Sequence, residues 1–392
     1  MTDARLKPRR PQRVQHPWIF AGEIASLPAA AADGEVVRVL DHRARFYATA
    51  YLNRRSKIAL RVLSWHDEEI NDNFWRARVG EALALRGALA ADSARRLVNA
   101  EGDRLPGLIV DFYAGWLVVQ ISTLGMDRMR TMVVEALRGA LMPHGIYERS
   151  DVPERSLEGL EQRTGTLYGS DPPEVVEISE GRARLLVDIA HGQKTGLFLD
   201  QRLNRQAAGE YARDRRVLNC FGYSGGFSVH ACLGGAREVV TIDISAEACR
   251  LALRNLALNG CANPHVVEAN CFDWLRAASD DGERFGMVVL DPPAFARGRS
   301  SLDNALRGYK EINLRALKLL EPGGYLVTCS CSRPVTHELF AELIADAARD
   351  AGRDVQLLED RGQPPDHPVL LAAPETRYLK CLIVRVDGTH AG

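Results

Sequence analysis

From about residue 186 the chain alternates short apolar runs with amphipathic ones, and that rhythm constrains the fold more than any other feature. Strands are expected at 216–221 (RVLNCF), 238–243 (EVVTID), 264–269 (PHVVEA), 286–291 (GMVVLD), 323–330 (GGYLVTCS), 354–360 and 378–386 (YLKCLIVRV). The spacing predicts helices over 246–259, 303–320 and 334–350, the first with Ser245 as N-cap and Gly260 just past its end. Strands alternating with helices build an α/β, doubly wound parallel sheet. Such a sheet receives ligands outside the carboxyl ends of its strands.

Three of those strand ends carry chemistry. The first is VLNCFGYSGGFSVHA, where a strand ends at Phe221, a turn holds Gly222, Gly225 and Gly226, and a helix follows. Asp243 closes the next strand, 21 residues after Gly222. Glycines let a backbone approach a ligand, and the carboxylate can accept both hydroxyls of a ribose. The spacing is G-x-x-G-G rather than the dinucleotide G-x-G-x-x-G, so a nucleoside cofactor without pyrophosphate, such as S-adenosylmethionine, fits better. A plain structural turn is the competing reading.

The second is Asp291-Pro292-Pro293-Ala294-Phe295, whose prolines force a rigid, extended exit and hold Asp291 over the cleft. The third is Thr328-Cys329-Ser330-Cys331-Ser332, followed by Arg333-Pro334 as the expected start of a helix. A thiolate is soft, nucleophilic and a good leaving group, which suits addition to C6 of a pyrimidine. A fourth stretch, HGQKTGLFLDQRLNR (191–205), gathers Lys194, Asp200, Gln201 and Arg202. It reads either as a place for the amino-acid end of the cofactor or as a surface turn.

Upstream the pattern differs. Residues 1–72 read as a small β-rich domain, with strands in 34–41, 44–53 and 56–65. A helix is expected from Ile70 to about Leu89. Residues 73–185 read as a small α+β domain with turns at EGDRLPG and YAG, a helix over 127–140 and an irregular connection over 150–181; the catalytic-type sheet then occupies 186–392.

Residues 1–62 hold twelve Lys and Arg against five Asp and Glu, on a chain whose net charge is −1. That imbalance points to a polyanion-binding module, with Arg9, Arg10, Arg13, Arg54 and Arg55 as candidate phosphate contacts. No C-x-x-C pair supports a metal site, and most of the eight cysteines are expected to be buried apolar residues rather than a disulfide scaffold. No run is long enough for a membrane span, and the charged start MTDARLKPRR is not followed by a signal-like apolar stretch. A cytoplasmic protein is expected.

At these residues the chain resembles the class I methyltransferases that place a PUA domain before a Rossmann-like catalytic domain and make 5-methylcytosine in large-subunit ribosomal RNA. The resemblance runs nearly end to end, through LKPRRPQRV, HPWIFAGEI, EGDRLPGLIVD, YERSD, GQKTGLFLDQRLNR, VLNCFGYSGGFSVHA, IDIS, DPPAF and SCS. It implies that Phe221, Gly222, Tyr223, Gly225, Asp243, Ile244, Asn270 and Cys271 hold S-adenosylmethionine, with Lys194, Asp200 and Arg202 near its methionine end. It implies Cys331 as the nucleophile, Asp291 as a second catalytic group, and Pro292 and Phe295 beside the RNA base.

The implied partner is large-subunit ribosomal RNA, naked or in an assembly particle. A second copy of the chain is a further candidate partner; no metal and no membrane are expected. Two other functions compete: guanine-N7 methylation on the same fold without a covalent cysteine, and RNA binding without catalysis in ribosome assembly.

Overall fold

The computed structural model describes residues 1–8, 15–296 and 298–389. Its contacts divide the chain into two units, residues 1–176 with 188–199 and 365–376, and residues 177–187 with 200–364 and 377–392.

In the first unit, β1 (Asp3–Leu6), β2 (Trp18–Phe20), β3 (Ile24–Ser26), β4 (Val36–Leu40), β5 (Phe46–Leu52) and β6 (Ile58–Ser64) form a six-stranded sheet in the order β2-β6-β5-β4-β1-β3. The three segments expected from sequence are β4, β5 and β6. Helix α1 (Asp72–Arg86) opens where the Asn71 side chain accepts from the Asn73 and Phe74 amides. It stops at Gly87, whose φ of +66° suits a glycine.

Next come β7 (Ala94–Asn99), β8 (Leu108–Tyr113), β9 (Trp116–Ile121), α2 (Leu124–Arg128), α3 (Arg130–Leu141), β10 (Gly145–Ser150), α4 (Glu154–Leu157) and β11 (Arg163–Gly169), with a sheet in the order β11-β10-β9-β8-β7. The single helix expected over 127–140 is two, joined at Met129. Part of the stretch expected to be irregular is β11, an edge strand ordered by its ladder to β10. Its exposed Arg, Thr and Gly residues carry no apolar alternation, so pattern reading passes over it.

The two sheets of this unit share a core, in which Tyr51 and Leu63 pack with Trp75, Leu97, Val119 and Leu137. The Tyr51 hydroxyl lies 2.9 Å from the Pro106 carbonyl, and Arg61 pairs with the buried Glu158 at 2.8 Å.

The second unit begins with a ribbon, β12 (Val176–Glu180) and β13 (Ala183–Val187), and helix α5 (Arg202–Glu210). Then follow β14 (Arg216–Cys220), α6 (Gly226–Leu233), β15 (Glu238–Asp243), α7 (Ala246–Leu258), β16 (His265–Glu268), α8 (Cys271–Asp280), β17 (Phe285–Leu290), α9 (Leu302–Leu319), β18 (Leu320–Ser330), α10 (His337–Ala351), β19 (Arg353–Arg361) and β20 (Lys380–Thr389).

The seven strands run β16-β15-β14-β17-β18-β20-β19, so the order reverses between β14 and β17. Leu218, Ile242 and Leu290 face one layer of helices, while Val217, Val239 and Met287 face the other. Strands buried on both faces explain the continuous apolar runs.

The sheet is not wholly parallel: β20 is antiparallel to both neighbours. No α-helix separates β19 from β20, so the chain returns without the crossover a parallel neighbour would need. Helix α10 starts at His337 with Thr336 as its cap, not at Arg333-Pro334, which lie in the preceding turn. Cys232 and Cys261 form a disulfide, a pairing the sequence does not announce. Among the described residues no helix is long and apolar enough to cross a membrane, and no cluster of ligating side chains could hold a metal.

Candidate active site at the carboxyl ends of the parallel strands

The glycine-rich turn leaves β14 through a backbone that few residues adopt. Phe221, Tyr223 and Gly225 have φ values of +58°, +46° and +78°. Two of these are not glycine, and such local strain persists where the surroundings hold it, typically at ligand sites. Gly222 is required by packing, since a Cβ there would lie 2.4 Å from Thr241 Cγ2. Beneath the turn Asn219 Nδ2 donates to Ser228 Oγ at 2.8 Å, and Ser228 Oγ meets Thr241 Oγ1 at 2.7 Å.

Asp243 ends β15 beside the turn, only 8% exposed. Its two carboxylate oxygens accept the amides of Tyr223 and Ser245 at 2.8 and 2.9 Å. Each oxygen keeps a lone pair for a further donor, as a ribose diol requires. The next residue, Ile244, is 68% exposed, an apolar side chain left where an adenine face would cover it. Asn270 uses its side-chain oxygen to cap α8 through the Phe272 amide, which leaves its NH₂ group for other contacts. The Cys271 thiol is buried in the sheet, 3.1 Å from the Phe221 amide, so a cofactor would meet the Cys271 backbone rather than its sulfur. These residues fit a nucleoside cofactor.

Asp291 follows β17 directly. Gln201 Nε2 donates to Asp291 Oδ1 at 2.7 Å, Asn204 Nδ2 to Gln201 Oε1 at 2.6 Å, and Arg361 Nε to Asn204 Oδ1 at 3.1 Å. This chain, buried at Gln201 and Asn204, fixes the carboxylate's orientation. By sequence Gln201 groups with the cofactor end of 191–205, and nothing there relates it to Asp291, 90 residues on. In the loop that follows, Pro292 is buried while Pro293 and Ala294 are exposed. Phe295 stacks 4.6 Å from Tyr309 and 5.7 Å from Phe272.

The two cysteines of Thr328–Ser332 have different surroundings. Cys329 is fully buried and pairs in register with Cys381 of β20; burial and that second thiol push its titration up. Cys331 lies one residue past the strand end and is half-buried. Ser332, next in the chain, receives the Ala296 amide on Oγ at 3.1 Å, and the same Oγ is 2.9 Å from the Tyr309 hydroxyl.

Other predicted residues are more dispersed. Asp200 accepts the Tyr378 hydroxyl at 2.6 Å, and Arg202 opens α5. Lys194 belongs to the first unit, with its ammonium 4.5 Å from the Phe198 ring centre. Arg54 pairs with Asp33 at 2.7 Å and donates to the carbonyls of Pro28 and Ala31, so it ties its own loop. Arg55 is exposed. Arg9, Arg10 and Arg13 lie outside the described residues.

Beneath α5 and α6 sits a group that sequence reading missed. Arg205 makes a two-pronged pair with Glu180 at 2.7 and 2.6 Å, and His230 Nε2 lies 2.9 Å from the same carboxylate. Burial alone would raise the Glu180 carboxyl, but Arg205 and His230 hold it down at about 2. A cavity of about 440 Å³ lined by Arg213, Arg215, Gly286 and Glu321 lies at the opposite, amino end of the strands and contains none of the residues above.

Comparison with known proteins identifies the family and the fold. Residues 161–385 match the S-adenosylmethionine-dependent methyltransferase family, and residues 5–65 match the PUA-like domain. The chain is 44% identical over 377 residues to ribosomal RNA large subunit methyltransferase I of Aeromonas salmonicida, with 95% of each chain covered. It is 45% identical over 378 residues to the protein of that name from Tolumonas auensis, again with 95% of each covered. In fold it is similar to a Streptococcus mutans protein described as an S-adenosylmethionine-dependent methyltransferase, with TM-score 0.82 and 22% identity over 98% of this chain and 100% of that one. A protein described as a methyltransferase and solved with S-adenosylhomocysteine gives TM-score 0.81 and 24% identity over 94% and 95%.

Proposed function

Because the chain belongs to the S-adenosylmethionine-dependent methyltransferase family, we propose that it methylates C5 of a cytosine in large-subunit ribosomal RNA through a covalent adduct of Cys331. The RNA target follows the relatives' shared name. The cytosine and the adduct rest on one observation: a half-buried thiol just past the end of β18, in the same row of strand ends as Asp243 and Asp291.

Cytosine C5 is too weak a nucleophile to take a methyl group unaided. Bound S-adenosylmethionine supplies an electrophilic sulfonium methyl. The Cys331 thiolate adds at C6, forming an S–C6 bond and pushing electron density onto C5, which would take the methyl as S-adenosylhomocysteine departs with the S–CH3 electrons. Loss of the C5 proton to a base re-forms the C5–C6 double bond, and the thiolate leaves with the S–C6 electrons. Asp291, held by Gln201, would accept from the N4 amine and, in its protonated form, give a proton to N3, neutralising the negative charge that thiolate addition places there. The glycine-rich turn and Asp243 hold the cofactor ribose, with Asn270 and the Cys271 backbone toward the adenine. Asp200 and Arg202 serve the methionine end, and Phe295 flanks a base flipped out of its stack.

The test incubates the full chain with S-adenosylmethionine and unmodified large-subunit RNA, then digests the RNA to nucleosides for mass spectrometry. We expect 5-methylcytidine. A product of 7-methylguanosine, or no methylated nucleoside at all, would contradict the proposal.

A further inference from the structure

We propose that Lys380 is a positioning residue for Cys331, holding the Ser330–Ser332 turn in shape and supplying the positive charge against which the thiolate forms. The inference rests on Cys331 being the nucleophile.

Lys380 begins β20 and pairs in register with Ser330, the last residue of β18. Its side chain then reaches past Cys331. Nζ donates to the Ser332 carbonyl at 2.7 Å and to the Tyr378 carbonyl at 2.8 Å. The residues on both sides of the cysteine are therefore fastened to this one lysine, Ser330 through the ladder and Ser332 through the ammonium.

The lysine is only 2% exposed, and among the described residues the partners of its ammonium are carbonyls, not carboxylates. An ammonium out of water without a counter-charge costs several kcal/mol, so its retention asks for a reason. The charge that acts on it is the Cys331 thiolate, which opposes the effect of burial; burial is the larger influence and brings the ammonium down to about 8. At neutral pH it remains mostly protonated.

The other titratable groups are placed differently. Tyr309, from α9, is pushed up by burial and by Cys331, and so stays a neutral phenol. The charge of Asp291 is felt at Cys329, whose titration it raises. Lys380 is thus a cation that acts directly on Cys331. Three N–H bonds with two spent on carbonyls leave one for a sulfur anion.

The test measures the iodoacetamide reactivity of Cys331 against pH in the full chain saturated with S-adenosylhomocysteine, quantified on the Cys331 peptide by mass spectrometry. In the unaltered protein the midpoint should lie at least about one unit below the ordinary thiol value near 8.5. Lys380→Met should raise that midpoint by about one unit and slow alkylation at pH 7 about tenfold. It should cut the turnover of RNA methylation while leaving S-adenosylhomocysteine affinity intact. Lys380→Arg, which keeps the charge, should restore part of the reactivity.

An unaltered midpoint at or above about 8.5 would overturn the inference without any variant. So would a Lys380→Met protein that binds S-adenosylhomocysteine normally and keeps the original profile. Full methylation by Cys331→Ala is a separate failure. It would remove the nucleophile reading, and with it the catalytic meaning of Lys380, while the alkylation shift in Lys380→Met persisted.

Discussion

At the scale of single residues, the positions legible in the sequence are those whose neighbours in space are neighbours in the chain. Asp243 stands one strand after the glycine-rich turn, and the turn accounts for its position. Asp243→Ala should weaken S-adenosylmethionine binding by about 1.5–3 kcal/mol, because it deletes a charged acceptor and frees the Tyr223 amide. Calorimetry on the folded variant decides; an unchanged affinity would mean that the ribose does not sit there.

Gln201 could not be read this way, since its partner Asp291 arrives only when β17 lies beside β14. Gln201→Leu should lower turnover about tenfold or more through a misoriented Asp291, with cofactor affinity preserved. A loss of cofactor binding with normal turnover at saturation would instead return Gln201 to the methionine end.

At the scale of elements, strands buried on both faces and capped helices announced themselves, as α7 between Ser245 and Gly260 shows. The exposed edge strand β11 and the reversed strand β20 did not. The first lacks an apolar face, and the direction of the second depends on the connection before it rather than on its own residues.

The ribbon β12–β13 is tied to α5 and α6 by Glu180, with Arg205 and His230 on one carboxylate. Glu180→Gln leaves Arg205 buried without its counter-ion and should cost about 3–5 kcal/mol in urea unfolding at pH 7. The folded carboxyl titrates at about 2 against an ordinary 4.5. The stabilisation is therefore complete above about 4.5 and lost as pH falls toward 2. The gap between wild type and Glu180→Gln should narrow over that interval, and a gap independent of pH would show that the charge is not its source.

At the scale of the whole molecule, the basic excess of residues 1–62 was legible, but its deployment was not. Arg38, Arg45, Arg54 and Arg61 pair with carboxylates of their own unit, which leaves fewer cations for an RNA than the count implies. Arg55, exposed, is the better candidate for a phosphate contact. Arg55→Gln should flatten the log–log salt dependence of RNA binding by about 0.7–0.9, the share of a single neutralised phosphate, without changing cofactor affinity. Filter binding across a salt series would show an unchanged slope if Arg55 touches no phosphate. Removing residues 1–65 would strip Tyr51 and Leu63 from a shared core and take Arg61 from the buried Glu158, so a point substitution is the cleaner probe.

Trapping the thiol adduct decides whether Cys331 is the nucleophile. RNA carrying 5-fluorocytidine at the target has no C5 proton to lose, so the adduct cannot be released and should survive a denaturing gel. Wild type and Cys329→Ser should give the shifted protein–RNA band, and Cys331→Ala should give none. A band from Cys331→Ala, or its full methylation of ordinary RNA, would contradict the account.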